Sequence, residues 1–310
     1  MIKKNEIELQ SARPSFEAVF PTTDYYEIQS KHVGARFAVW VTKPATFDPD
    51  HTGYPAIYAP DGNMFVGTAS NMGMLATDPI NPLKPFLLIS VGYVGKDATN
   101  IWAVRSRDLL PPDEPLGKSI ENKAEWIAGM EATGLLDREG IELYWHYLQN
   151  PAGDNFTQFL EEELHPAIAA SYPIEPSKTG LYGFSFGGLY ATYLAMRRSS
   201  LFKTIGAGSP GIMAGRSRVL AMYDQHIERQ TDFSGYDMLL GVMEREITVP
   251  SPYQDLVAAG TTEFMQKANR NRLQGWNFCS EIFANESHAT GSPAVWHHFL
   301  REFYSAKSAD

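Results

Sequence analysis

Two periodicities alternate along this chain. Short apolar stretches bounded by Gly, Pro, Asp or Asn alternate with longer ones whose apolar residues recur every three or four positions. The runs YYEIQS and ARFAVWVTKP, joined through KHVG, predict an antiparallel opening pair of strands. YPAIYAP is a further strand stopped by DGN, and FLLISVGY is apolar throughout, as a strand covered on both faces should be. NFTQFLEEELHPAIAASY sets Phe156, Phe159, Leu160 and Leu164 on one helical face. After it come SKTGLYG as a strand, LYATYLAMRR as a helix, and FKTIGAGSP and YDMLLGV as strands. DLVAAGTTEFMQKANRNRL reads as a helix and NFCSEIF as the last strand. PAVWHHFLREFY closes the chain as a helix with Pro293 at its start. Strands alternating with helices over the whole length predict an α/β fold, a mostly parallel sheet with helices on both faces.

Residues 108–152 break this rhythm. They are rich in Pro, Trp and Tyr, contain no clear strand, and predict a loop and helix insertion that acts as a lid or substrate wall. The chain has no repeat, low-complexity tract or linker that would divide it, so residues 1–310 read as a single domain.

The chemistry concentrates at LYGFSFGGLY. Ser185 sits between Gly183 and Gly187, after a strand and before a helix. That is the setting of a strained turn that exposes a nucleophilic hydroxyl, although glycines also permit an ordinary strand-to-helix bend. Such a serine needs a base, and in this architecture the chain order is Ser, acid, His. Of the histidines that follow, His226 precedes the best acids, and His297 and His298 lie within the closing helix. His288, in the loop ANESHATGSP after the last strand, is the expected base. The acid should follow YDMLLGV, which makes Glu244 the first choice and Glu246 the second; Asp237 is at the wrong end of that strand. Oxyanion donors are expected from the backbone N–H of Phe186 and from Gly62 or Asn63 in APDGNMF, where a helix start leaves N–H groups free.

Composition then removes rival chemistries. The net charge of -10 gives no basic face for nucleic acid, and the longest apolar run is too short to span a bilayer. The lone Cys279 cannot form an internal disulfide, and the lysines near the start precede no apolar stretch that would make a signal peptide. A cytoplasmic location is the expectation. GAGSPG at 206–211 matches a dinucleotide-binding pattern, but Pro210 and the basic GRSR fit no helix opening there. No metal or nucleotide motif occurs, so no cofactor is expected.

Taken together, these segments resemble the putative-esterase group of α/β-hydrolases, which includes esterase D, the mycolyltransferases and the enterochelin esterases. The resemblance rests on YPAIYAPDGNMF, LLISVGY, RSRDLLPP, FTQFLEEELHPAI, LYGFSFGGLYATYLA, FKTIGAGSP, LLGVMERE and ESHATGSPAVWHHFL, in family order. Their spacing is most similar to the siderophore esterase branch. The resemblance implies an α/β-hydrolase fold with Ser185 as nucleophile, His288 as base and, through a Gly-x-x-Glu motif at Gly241, Glu244 as acid. It also implies Arg105 and Arg107 beside the site, where cations would offset a ferric catecholate. Arg216, Arg218 and the insertion's Trp126 join them as substrate-binding candidates. The sequence departs from the family after SP, where Gly211, Ile212 and Met213 stand in place of an aromatic, and in the length of the insertion. The expected activity is hydrolysis of a carboxylic ester, with a siderophore-type or macrocyclic polyester as substrate. A thioesterase, an acyltransferase and a catalytically silent binding protein of the same fold are the alternatives, and a homo-oligomer is compatible with any of them.

Overall fold

The computed structural model describes residues 15–67, 77–117, 120 and 122–306. Eight strands form one sheet: β1 (Thr23–Gln29), β2 (Arg36–Thr42), β3 (Tyr54–Ala59), β4 (Leu87–Tyr93), β5 (Ile174–Phe184), β6 (Thr204–Gly208), β7 (Asp237–Met243) and β8 (Asn277–Phe283). Their spatial order is β1-β2-β4-β3-β5-β6-β7-β8. The first two strands are antiparallel to each other, and β2 is antiparallel to β4; every other pairing is parallel. This is the expected α/β-hydrolase architecture.

Alternation along the central strands builds two cores. Ala56 and Tyr58 of β3 enter one apolar cluster, while Ile57 and Ala59 enter the other, because successive side chains leave opposite faces of a strand. The larger cluster collects the helices Ile101–Leu109, Phe186–Arg197, Arg218–Glu228 and Ala259–Arg270. The smaller one collects the helix Gly291–Phe303, with Trp296 and Phe299 fully buried. That closing helix starts at Gly291, two residues before Pro293.

The expected amphipathic helix after residue 153 is present, and Phe156, Phe159, Leu160 and Leu164 are all buried. Its middle turn, Phe159–Leu164, is π-helical rather than α-helical. The wider turn keeps Phe159 and Leu160 both against the sheet, where Phe159 stacks on Phe37 of β2 at 4.5 Å between ring centres.

Within 108–152 the chain forms two helices, Lys123–Thr133 and Arg138–Gln149, and no strand among the described residues. The first is capped by the Asn122 side chain and ends on Gly134 with a left-handed backbone; the second is capped by Asp137. Helix Arg138–Gln149 packs on Ile101–Leu109.

The register aligns the carboxyl ends of the parallel strands. Phe184 pairs with Gly208, Gly208 with Gly241, and Met243 with Phe283. The residues that follow β3, β5, β6, β7 and β8 therefore meet along one edge of the sheet, where open α/β sheets bind their ligands.

Candidate active site

Ser185 stands at the apex of the turn between β5 and helix Phe186–Arg197, with φ 60° and ψ -118°. A non-glycine residue with this backbone is strained, and the surroundings enforce it. The Ser185 N–H donates to the Gly208 carbonyl at 2.9 Å, and its own carbonyl accepts from Leu189 N at 2.9 Å. A Cβ on Gly183 would run into the Gly187 carbonyl, and one on Gly188 would lie 2.5 Å from the Gly208 oxygen. The small residues thus allow strand, turn and helix to cross closely enough to hold the serine in place.

His288 reaches the same edge from the loop after β8. Its ring lies 5.1 Å from that of Phe184, the residue before Ser185. Its Nδ1 is 2.5 Å from Oε1 of Glu246, whose carboxylate is almost wholly buried. The second oxygen of Glu246 accepts from the Met243 N–H at 3.0 Å and from the Ser209 hydroxyl at 2.9 Å. A carboxylate on Nδ1 fixes the neutral tautomer with hydrogen there and leaves Nε2 as an acceptor.

Glu246, not Glu244, therefore partners the imidazole, which corrects the first choice of acid. The reason is local. Glu244 opens a short helix, Glu244–Thr248, directly after β7. Two residues along a helix rotate a side chain by about 200°, so the two glutamates leave opposite sides. Glu246, at the third helical position, turns back to cap the Met243 N–H. The Glu244 carboxylate accepts from the Asn285 N–H at 2.6 Å and ties down the loop that carries His288.

Helix Gly62–Phe65 lies flush against β2 and β4, and a Cβ on Gly62 would come within 2.9 Å of the Trp40 ring and the Val91 backbone. Met64 N and Phe65 N both bond the Asp61 carbonyl, so the N–H groups of Gly62 and Asn63 precede the first intrahelical bond. The Asn63 side chain is occupied elsewhere, clamping Tyr93 through its N–H at 2.7 Å and its carbonyl at 3.0 Å. Phe186 N, at the start of the helix after Ser185, has the same freedom.

Two of the candidate arginines, Arg105 and Arg107, are already paired with carboxylates. Arg105 is buried and holds Asp61 in a bidentate pair at 2.9 and 2.6 Å, with a further contact from Nη2 to the Phe184 carbonyl at 3.4 Å. Arg107 pairs with buried Asp108 at 2.8 Å and with Asp97 at 3.6 Å. Arg218 donates to the Pro112 carbonyl at 2.6 Å, and exposed Arg216 touches the Leu116 carbonyl at 3.4 Å. Trp126 packs edge-on against Tyr144, with 5.3 Å between ring centres, inside the insertion's own aromatic cluster.

Two residues of the Glu246–His288 pair's surroundings, one on the imidazole and one on the carboxylate, carried no sequence signal for this role. Tyr253 stacks on His288 with ring centres 4.0 Å apart and a 14° interplanar angle, while 42% of the tyrosine stays exposed. Ser209 lies in the segment set aside as a failed dinucleotide motif.

Glu114 of the insertion makes a titratable contact with the start of helix Arg218–Glu228. Glu114 accepts from the Arg218 N–H at 3.1 Å, and burial pushes its pKa up to about 7. The folded chain thus favours the protonated acid, so the associated stability is fully present below pH 4.5 and is lost as pH rises through 7. Glu114→Gln keeps the acceptor and removes the charge. Its melting temperature should exceed that of the parent at pH 8 and match it at pH 4; an equal difference at both values would refute the assignment.

A family model described as putative esterase matches residues 139–253, which contain the Ser185 turn, Ser209 and Glu246. Over that stretch the chain is similar to the putative esterases. It is 25% identical over 218 residues to the ferri-bacillibactin esterase BesA of Bacillus subtilis, covering 67% of this chain and 64% of BesA. It is 24% identical over 198 residues to the siderophore triacetylfusarinine C esterase of Aspergillus fumigatus, covering 62% and 56%. The matched part thus spans less than two thirds of either relative. Among solved structures, the BES protein from Bacillus cereus superposes with a TM-score of 0.70 at 22% identity, covering 95% of this chain and 97% of that one. An IroE-like serine hydrolase from Shewanella oneidensis gives 0.70 at 19%, covering 91% and 80%. Likeness at this level of identity shares the fold. Among the described residues no helix is long and apolar enough to cross a membrane.

Proposed function

We propose that this protein hydrolyses carboxylic esters through an acyl-enzyme on Ser185, with a siderophore-type or macrocyclic polyester as its substrate. The observation that carries the reading is the Glu246–His288 pair set beside a strained serine turn at the carboxyl edge of the sheet. His288 Nε2 takes the proton as Ser185 Oγ attacks the ester carbonyl, and the C–O bond to the leaving alcohol breaks as that proton is returned to it. Water, activated in turn by His288, then releases the acid and regenerates the serine. Glu246 holds the imidazole and stabilises the imidazolium. The N–H groups of Phe186 and of Gly62 or Asn63 receive the oxyanion.

The similarity to proteins named as siderophore esterases supports the substrate class. So do the exposed aromatics around the site: Tyr253 on His288, and Trp102 over Arg105. With Arg105 and Arg107 already paired, recognition rests on aromatic surface more than on free cations.

A fluorophosphonate probe should add one phosphonyl group to the peptide containing Ser185, and Ser185→Ala should not react. A panel of esters, from a neutral nitrophenyl ester to a catecholate trilactone with and without iron, then ranks substrates by kcat/KM. A folded protein that resists the probe would instead be a binding protein built on this fold.

A further inference from the structure

We propose that Ser209 is a positioning residue for this reaction, orienting the Glu246 carboxylate and through it His288. The inference rests on the esterase reading above. Ser209 immediately follows β6 and is fully buried, in the left-handed backbone region at φ 41°. Few serines are held there, and the conformation is tied down by a bond from Ser209 N to the Gly241 carbonyl of β7 at 2.8 Å. The single hydroxyl proton goes to Glu246 Oε2 at 2.9 Å.

Both oxygens of Glu246 are thereby engaged by donors from three strand ends: Ser209 after β6, Met243 at the end of β7, and His288 after β8. A carboxylate held at one oxygen by a backbone N–H alone can still rotate about its last bond. The hydroxyl adds a second fixed direction, so that Oε1 stays on Nδ1 while the imidazole gains and loses its proton. Ser209 touches no reacting atom; it acts by keeping the acceptor still in a buried place.

The test separates the hydroxyl from the turn. Glycine adopts φ 41° without strain, so Ser209→Gly preserves the backbone and deletes only the donor; Ser209→Ala deletes it without that relief. Both should lower kcat by about 10- to 100-fold, the scale of a hydrogen bond to a charged group, with KM unchanged. In a Glu246→Gln background the same changes should cost little more, because the group being oriented is gone. A role confined to the turn predicts instead that Ser209→Gly keeps parental kcat, or that the loss is equal in both backgrounds, and either result overturns the proposal. Proton NMR of the His288 Nδ1–H provides a readout independent of turnover. Its downfield resonance should be sharp in the parent and broadened by exchange in Ser209→Gly, and an unchanged resonance also overturns the proposal. A parent that resists the fluorophosphonate probe would strike the esterase reading instead, while the resonance would still report whether Ser209 steadies the pair.

Discussion

Ser185→Ala and His288→Ala should each lower kcat by about 10⁶-fold, and Glu246→Gln by about 10⁴-fold. Glu244→Gln should stay within about twofold of the parent, the scale of an ordinary surface change. The contrast between the two glutamates is the informative part. In Glu246→Gln the new side-chain amide can present an N–H to Nδ1, favouring the tautomer with hydrogen on the wrong nitrogen, so that Nε2 could no longer accept the serine proton. The Glu244 carboxylate meets the Asn285 N–H, a contact that a glutamine oxygen can also accept. Steady-state kinetics on a nitrophenyl ester, with circular dichroism to confirm folding, decide the matter. Equal losses from the two glutamine variants would return the acid to position 244 and would mean that the 2.5 Å contact at Glu246 is not the working one.

Breaking the Arg105–Asp61 pair should destabilise the protein by about 3–5 kcal/mol, the cost of leaving one buried charge without its partner. The pair does more than hold two helices. Asp61 has φ 59° and its carbonyl caps the helix that offers Gly62 and Asn63, while Arg105 Nη2 also reaches the carbonyl of Phe184 beside Ser185. One guanidinium therefore sets the oxyanion loop against the nucleophile turn. Arg105→Ala should lower both melting temperature and kcat, the latter by about 10²-fold or more if an oxyanion donor moves out of line. Arg105→Lys should recover only part of the loss, because an ammonium cannot make the planar two-point contact. Replacing both partners at once, Arg105→Met with Asp61→Asn, should recover stability without recovering kcat. Unchanged stability together with weaker binding of charged esters alone would make Arg105 the ligand-facing cation that the RSRDLLPP resemblance suggested.

Much of the architecture was legible because it is written at short range. The alternation at Ala56–Ala59 and the unbroken apolar run of β4 report covered strand faces directly. The π-helical turn at Phe159–Leu164 was not legible, since the apolar spacing there suits an α-helix and only contact with Phe37 shows why the turn widens. Tyr253 was missed for a similar reason. Its ring becomes part of the site through a stack on His288, a residue far along the chain.

By itself the sequence determined the parallel sheet, the strained turn at Ser185 and the loop that delivers His288, because periodicity, glycine spacing and chain order are properties of neighbouring residues. Tertiary structure decided which glutamate meets the imidazole, that Ser209 bonds that glutamate, and that Arg105 is spent on Asp61. Glu244 and Glu246 are chemically identical, and only the helical rotation after β7 separates their directions. An arginine looks equally free in any sequence until folding brings, from 44 residues away, the carboxylate that neutralises it.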